Sequence, residues 1–256
     1  MKDLMAMLFG VTLGDGWIDI HHSGGISGDV EGLTAILEDL QDMFDTYDDS
    51  KIVTRETYSS KYSINGTTSY ITLHKDIVNE FLKLGMPVGK RVEQEWILPD
   101  WIVNGSYETK RNFMSGFYAA EGTKPILTKL SGSRKDTYFK PLNFCQTKRI
   151  ELQDNLRYVM NEQFASILDD LGIEYNIKYQ YTHTCADNIR IRFDFKNNIK
   201  NTMHTVEILD MCYCPRKQRL FDACYAYYDD TRIKKLYPKP ILNFKEYCAA
   251  NGFNIA

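Results

Sequence analysis

A chain of 256 residues with 43% hydrophobic content can bury a core in one large domain or two smaller ones, which excludes a disordered tail and a small disulfide-stapled module. No apolar run reaches the eighteen or so residues needed to span a bilayer, and the opening MKDLMAML carries an acid, unlike a signal peptide, so an intracellular protein without a membrane partner is expected. The formal charge of −3 hides an asymmetry: residues 1–108 hold 8 Lys and Arg against 18 Asp and Glu, whereas residues 109–256 hold 23 against 16. Net charge therefore does not exclude a polyanionic partner; the placement of charge decides.

The first stretch with a pattern, MLFGVTLGDG at residues 7–16, belongs to a helix with Leu4, Leu8 and Val11 on one side and Gly10 and Gly14 on another strip. Next, WIDIHHSGGISGDV reads as a short hairpin with Gly24-Gly25 at its turn, in which the adjacent His21 and His22 point to opposite faces and do not form a metal pair. The segment DVEGLTAILEDLQDMFDTYDD sets Leu33, Ile36, Leu37, Leu40 and Phe44 at helical spacing, with its acids on a face read as solvated. KIVTRETY and TTSYITLH are strands separated by the turn signal Asn65-Gly66, and KDIVNEFLKLG is a short helix closed by Gly85. Trp96 and Trp101, flanking Pro99, are expected to pin the following connection to the core. The formal glycosylation sequons at Asn65 and Asn104 read as turns.

The second half repeats the order. FMSGFYAAEG at 113–122 aligns with the first motif at an offset of 106 residues, pairing Gly10 with Gly116, Asp15 with Glu121 and Gly16 with Gly122. PILTKL and TYFKPLNFCQ flank the turn-like SGSRKD, with Pro125 and Pro141 restricting pairing to edges or bulges. A long helix carries Leu152, Leu156, Val159 and Ile167 on one side. In IEYNIKYQ and IRIRFDFK, apolar residues alternate with Glu174, Asn176, Lys178 and Gln180, and with Arg190, Arg192, Asp194 and Lys196. The polar set mixes long donors with Asn, Gln and Asp, a composition suited to phosphate oxygens and base edges. A further helix follows, and the tyrosines of CYAYYDD near the C-terminus read as helix packing. The plan is αββαββα twice over, with halves at 1–108 and 109–256. All six cysteines (Cys145, Cys185, Cys212, Cys214, Cys224, Cys248) lie in the second half; Cys212-x-Cys214 has no second pair, so reduced structural thiols are expected rather than a zinc site.

Helices with small residues at four-residue steps can cross with their backbones close, carrying Asp15 and Glu121 to nearly one place. Two carboxylates about 4–6 Å apart repel by several kcal/mol at an effective dielectric near 20, and helix C-termini add negative charge. A hard divalent cation resolves the repulsion. Mg²⁺ takes few protein carboxylates and completes its shell with water and phosphate oxygens, so the pair points to metal-assisted phosphodiester hydrolysis.

LFGVTLGDG and MSGFYAAEG resemble the paired signature helices of the LAGLIDADG homing endonucleases in the single-chain, two-motif form, and the connecting LGMPVGKRVEQEWILPDWI resembles that family's linking segment. The resemblance covers nearly the whole chain. It implies an α+β fold with a tandem αββαββα repeat, two antiparallel saddle-shaped sheets, and LAGLIDADG helices packed at a pseudo-two-fold interface. The implied activity is site-specific hydrolysis of a long asymmetric double-stranded DNA target with Mg²⁺ or another divalent cation, by a monomer located with its DNA. Asp15 and Glu121 would be the metal-binding catalytic acids, with the Gly14 and Ala120 carbonyls as further ligands. Lys90 and Lys217 would stabilise transition-state charge or position water, and Gln146 would join the water network. Lys51, Arg55, Arg134, Lys135, Lys178, Gln180, Arg190, Arg192 and Lys196 would contact DNA. Against the family pattern, the first half offers few cations and a short first hairpin, which implies a weaker grip there. The alternative readings are an RNA-binding intron maturase on the same scaffold and a DNA-binding protein that does not cut. The start at Met1 and the ending NGFNIA, without a terminal His-Asn or splicing cysteine, lead to the expectation of a free-standing or intron-encoded gene rather than an intein.

Overall fold

The computed structural model describes residues 2–44, 51–59, 64–129, 137–182, 187–234 and 244–254. The first half begins with α1 (Lys2–Asp15), runs directly into the hairpin β1 (Gly16–Ile18) and β2 (Gly24–Gly28), and continues through α2 (Val30–Met43), β3 (Val53–Ser59), β4 (Ile64–Thr72) and α3 (Lys75–Lys83). Its four strands form one antiparallel sheet in the order β1-β2-β4-β3. Ile18, Ile26 and Ile71 point to the helices and are buried, while Trp17, on the other face, is 38% exposed. Alternation thus sorts the sheet as period two requires. Asp29 caps α2 by accepting from the Gly32 N–H at 2.8 Å, as an N-cap aspartate does.

Two turn assignments change. Gly24 and Gly25 lie within β2, paired with Ile18 and Trp17, and the turn is instead built by Asp19, whose carboxylate accepts from the N–H groups of His21 (2.8 Å) and Ser23 (3.0 Å), with His22 at φ 57°. Gly25 is required where it is because a side chain there would collide with the indole of Trp17. Asn65-Gly66 likewise sits inside β4, opposite Tyr58 and Thr57, rather than at the bend.

After α4 (Asp100–Val103), the second half opens on α5 (Tyr107–Glu121), so a division at 108 falls in the first turn of this helix. Ser106 caps it by accepting from the Thr109 N–H. Strands β5 (Leu127–Lys129) and β6 (Thr137–Phe139) form a two-stranded ribbon, and β7 (Asn143–Arg149), β8 (Tyr175–Thr182) and β9 (Asn188–Phe195) form an antiparallel sheet in the order β7-β9-β8. The stretch expected as one strand, TYFKPLNFCQ, is therefore two. Pro141 has no N–H to give a ladder, and pairing resumes two residues later. Between β7 and β8 the long helix comprises α6 (Gln153–Arg157), a π-helical segment (Tyr158–Phe164) and α7 (Ala165–Asp170), with Leu156, Val159 and Ile167 buried. Helix α8 (Ile199–Ile208), α9 (Pro215–Lys234) and α10 (Phe244–Ala250) complete the chain. Phe139, Tyr227, Tyr228, Phe244 and Tyr247 make a separate aromatic core there, as expected for CYAYYDD.

The halves correspond in element order from α1 to α3 and from α5 to α8, with β6 and β7 together standing for β2, β9 for β4, and β8 for β3. Matching hydrogen bonds fix the register. Leu73 N–H donates to the Gly24 carbonyl and Phe195 N–H to the Leu142 carbonyl, both at 2.8 Å. Helices α1 and α5 cross between the sheets. A methyl on Gly10 would lie 2.7 Å from the Phe117 nitrogen, and one on Gly116 would lie 3.0 Å from the Val11 nitrogen, so neither position tolerates any side chain.

Each half also reaches across to the other. The connector after α3 presents Leu98, whose N–H donates to Gln163 at 2.8 Å, and the Trp96 carbonyl, which accepts from Asn155 at 3.1 Å. Trp101 donates its indole N–H to the Leu84 carbonyl at 2.9 Å and packs edge-on to Phe9, which fulfils the pinning role expected of the tryptophans. Reciprocally, the connector after α8 presses Tyr213 against Gly32 of α2, and the Tyr213 hydroxyl donates to Asp39 at 2.5 Å. Arg219 pairs with Glu31 at 2.9 Å. The acidic face of α2 is thus partly an inter-half contact and not wholly solvated, as periodicity alone suggested.

Candidate active site and nucleic-acid face

Asp15 and Glu121 end the two crossing helices, and the crossing brings them together. A methyl built on Gly14 would overlap that of Ala120 and stand 3.3 Å from Glu121 Cγ. Asp15 keeps an exposed edge, and the packing around the rest of its carboxyl raises it above the ordinary range, opposed by the charges of Lys217 and Arg91. Glu121 is raised by burial first and then by the charge of Asp15, and is lowered by a side-chain hydrogen bond from Gln146 and by Arg91 and Lys217. Both acids therefore sense the same two cations, and Glu121 also senses Asp15.

Those cations cap the helices. Arg91 donates to the carbonyls of Gly16 at 3.0 Å and Gly14 at 2.8 Å, while Lys217 Nζ reaches the carbonyls of Ala119 at 2.7 Å, Tyr118 at 3.2 Å and Ala120 at 3.3 Å. Cations at helix C-termini complement the dipole and satisfy carbonyls that lack intrahelical donors. Burial lowers the pKa of both, and the neighbouring acids pull it back up. The two do not see the acids equally. Glu121 acts on Arg91 more than Asp15 does, and Asp15 acts on Lys217 more than Glu121 does.

Lys90 is placed elsewhere. Its side chain is 78% exposed and pairs with Glu93 at 3.6 Å, so the first-half cation at the acids is its neighbour, Arg91. Gly89, at φ 87°, donates to the Ile18 carbonyl at 2.7 Å, and a 3-10 turn (Arg91–Glu93) begins immediately afterwards, turning Arg91 inward. The sequence signal was present in the Gly-Lys-Arg run, but the phase of a three-residue turn decides between its two cations. Gln146 lies on the helix-facing side of β7, opposite Ile191, where its side chain meets Glu121. The Gly14 and Ala120 carbonyls face the cluster, and each accepts one hydrogen bond from Arg91 or Lys217, which leaves a lone pair free.

Among the described residues no three-membered cluster of His, Cys, Asp or Glu forms a cation cage. The donor set still fits a hard divalent ion: two carboxylates whose charge is costly as they stand, beside carbonyls and open space. Asp15 also borders a cavity of about 170 Å³ shared with Ser27, Gly28, Asp29, Cys214 and Lys217. Cys212 lies 3.1 Å from the Met7 sulfur, burial pushes its thiol up to about 12, and the five described cysteines are free thiols.

The sheet faces away from the helices differ. In the second half, pairing sets Cys145, Arg192 and Lys178 in one rung and Thr147, Arg190 and Gln180 in the next. The buried Asp194 carboxylate holds Lys178 at 2.6 Å and Arg192 at 2.7 Å, and Arg190 donates to Thr147 at 3.2 Å. Lys196 pairs with Glu174 at 3.2 Å. In the first half, Lys51 is exposed just before β3, and Arg55 lies 5.2 Å over the ring of Tyr70, which in turn meets Trp17 edge-on at 5.8 Å. Trp17 and Tyr70 were not singled out from sequence, although their spacing on alternate positions would have allowed it. Arg134 and Lys135 lie outside the described residues.

No family model matches the chain. Among curated relatives, the tRNA-splicing ligase RtcB of Methanopyrus kandleri is 28% identical over 242 residues, covering 90% of this chain and 23% of that protein. The DNA-directed RNA polymerase subunit Rpo1N of Methanocaldococcus jannaschii is 25% identical over 271 residues, covering 98% and 20%. The chain spans about a fifth of the length of these relatives. Among solved structures, I-SmaMI bound to an uncleaved DNA target in the presence of calcium ions aligns over 97% of this chain and 99% of its own, with 11% identity and a TM-score of 0.50. The LAGLIDADG meganuclease I-AabMI bound to uncleaved DNA aligns over 88% and 91%, with 13% identity and a TM-score of 0.44. The tandem repeat, the crossed glycine-bearing helices and the flanking antiparallel sheets of this chain are the fold of the LAGLIDADG homing endonucleases.

Proposed function

We propose that this chain is a site-specific, metal-dependent endonuclease of double-stranded DNA. The observation that carries the reading is the meeting of Asp15 and Glu121 at the crossed helix ends, each beside a half-buried cation. Asp15 and Glu121 would hold the metal, with Mg²⁺ as the expected ion; the structural relative I-SmaMI was seen bound to its DNA target in the presence of calcium ions. Bound there, a divalent cation supplies Lewis acidity to a phosphate. Arg91 and Lys217 offset charge developing on phosphate oxygens, and they are already held by helix carbonyls, so little reorganisation is needed during reaction. Gln146, on the helix-facing side of β7 beside Glu121, would orient its carboxylate. One chain supplies both acids, so a monomer suffices and the target need not be palindromic.

The rungs of Lys178, Gln180, Arg190 and Arg192 support binding of a duplex along the second sheet, with Arg55 and the aromatic pair of Trp17 and Tyr70 continuing the surface across the first. The test is a supercoiled plasmid carrying a site selected from a randomised duplex library. Linearisation is expected with Mg²⁺ and none in EDTA; tight binding with no hydrolysis under any divalent cation would replace this reading with a non-cutting DNA-binding protein.

A further inference from the structure

Among the described residues, the most deeply buried charged side chain is that of Lys148 on β7, at 1% exposure. Lys110 answers its burial with Asp170, and Asp194 answers its own with Lys178 and Arg192. Lys148 instead gives its hydrogen bonds to two neutral oxygens, the Gln94 carbonyl at 2.5 Å and the side-chain oxygen of Asn155, and stands 5.2 Å over the ring of Trp96. Burial lowers its pKa to about 8, with the charge of Glu95 opposing. A buried ammonium is costly, and a methionine of similar length would fill the same space at less cost. The charge is therefore kept for what it holds.

What it holds is the connector that carries Arg91. The Asn155 oxygen accepts from Lys148 and from the Trp96 N–H at 3.2 Å, and the Asn155 amide donates to the Trp96 carbonyl at 3.1 Å, so Lys148, Asn155 and Trp96 form one network. With the Gln94 backbone fixed by Lys148, the Gln94 side chain reaches back and donates to the Val88 carbonyl at 2.5 Å. That bond closes the loop 88–94. Arg91 stands at the middle of the loop and leaves it toward the carbonyls of Gly14 and Gly16. Beside Lys148, Arg149 pairs with Glu93 at 2.9 Å, but that bridge is exposed and contributes little.

A guanidinium at a reacting phosphate is effective only when its loop returns it to one place, and a displacement of about 1 Å can cost roughly 100-fold in rate. Resting on the endonuclease reading above, we propose that Lys148 is a positioning residue for cutting: by fixing Gln94 from the opposite half, it closes the 88–94 loop and sets Arg91 at the acids. Lys148 stands opposite the buried Ile189, on the helix-facing side of β7, whereas Thr147 and Arg190 face the other way. Its influence on the reaction passes through Arg91.

The test is a double-mutant cycle on the whole chain, read as the single-turnover cutting rate of the selected duplex at saturating protein with Mg²⁺, and as affinity for the same duplex in EDTA. Lys148→Met should slow cutting by about tenfold or more while affinity stays within about threefold, a split that a loosened fold would not give. Added to Arg91→Ala, Lys148→Met should slow cutting no further, because the loop then has no guanidinium to place. Gln94→Ala opens the loop with Lys148 still in place; it serves if Lys148→Met does not fold, and should show the same loss and the same lack of additivity with Arg91→Ala. Losses that multiply, or a parental rate in any of the three single variants, would overturn this inference and leave the endonuclease reading standing. A parent protein that cuts neither strand would overturn the endonuclease reading itself.

Discussion

The two sheets share a plan and differ in how they could hold a polyanion. The second half concentrates Lys178, Arg190 and Arg192 on adjoining rungs around the buried Asp194, whereas the first half presents Trp17 and Tyr70 with Arg55 stacked above them. A rung of cations attracts phosphate at a distance; an aromatic face acts only on contact. The comparison explains the charge difference between the halves without requiring the acidic half to repel DNA, because several of its acids are turned elsewhere. Glu31 and Asp39 face Arg219 and Tyr213, and Asp15 faces the cations of the active site.

The largest effect expected is on chemistry. Asp15→Asn or Glu121→Gln should each lower plasmid linearisation by about a thousandfold or more, because removing one member of a preorganised site costs on that scale. Retained linearisation in either variant would show that the acids are not equivalent partners. Gly116→Ala comes next: its methyl would press on the Met7 carbonyl group, and a loss of about 2–3 kcal/mol is expected, read as a lower urea midpoint at unchanged slope.

The comparison of sheets is broken or sharpened by DNA affinity. Arg190→Ala combined with Arg192→Ala should weaken binding by roughly 10–100-fold and flatten the salt dependence by about two counterions, while Arg55→Ala should cost less than about threefold. Equal losses would dismiss the division of labour. Within the first half, Arg91→Ala should depress cutting by at least about tenfold, whereas Lys90→Ala should stay within about twofold, since an exposed ion pair contributes little.

The smallest effect concerns the protein without metal. Burial holds the carboxyl pKa of Asp15 and of Glu121 above its unfolded value. A group raised in this way contributes stability below its unfolded pKa and loses that contribution as pH rises through the folded one. At neutral pH the ionised pair is therefore a cost, one that solvent at the exposed edge of Asp15 screens, and Asp15→Asn should raise the melting temperature in EDTA only slightly. Mg²⁺ should raise the melting temperature of the parent protein more than that of the variant.

The helical signatures were legible because glycine spacing and the acid-glycine ending are local and repeated, and the alternation of Ile189, Ile191 and Phe193 with Arg190 and Arg192 gave the correct faces of β9. What escaped depended on backbone phase or on distant partners. The inward turn of Arg91 follows from Gly89 and the 3-10 turn behind it. Gly25 looked like a bend but is kept small by the Trp17 ring, and Asp19 makes the bend instead. Asp39 looked solvated because its partner, Tyr213, is 174 residues away. Pro141 was read as limiting strand pairing, yet the full division of β6 from β7 is a property of the assembled sheet.

The reciprocal connectors have a consequence for building chimaeras. Leu98 is held by Gln163 through both its N–H and its carbonyl, and Tyr213 is held by Asp39. A half transplanted from another nuclease would leave each of these side chains facing a stranger. Grafts that move a connector together with the opposing helix that clasps it should assemble, and grafts that respect only the midpoint of the chain should not.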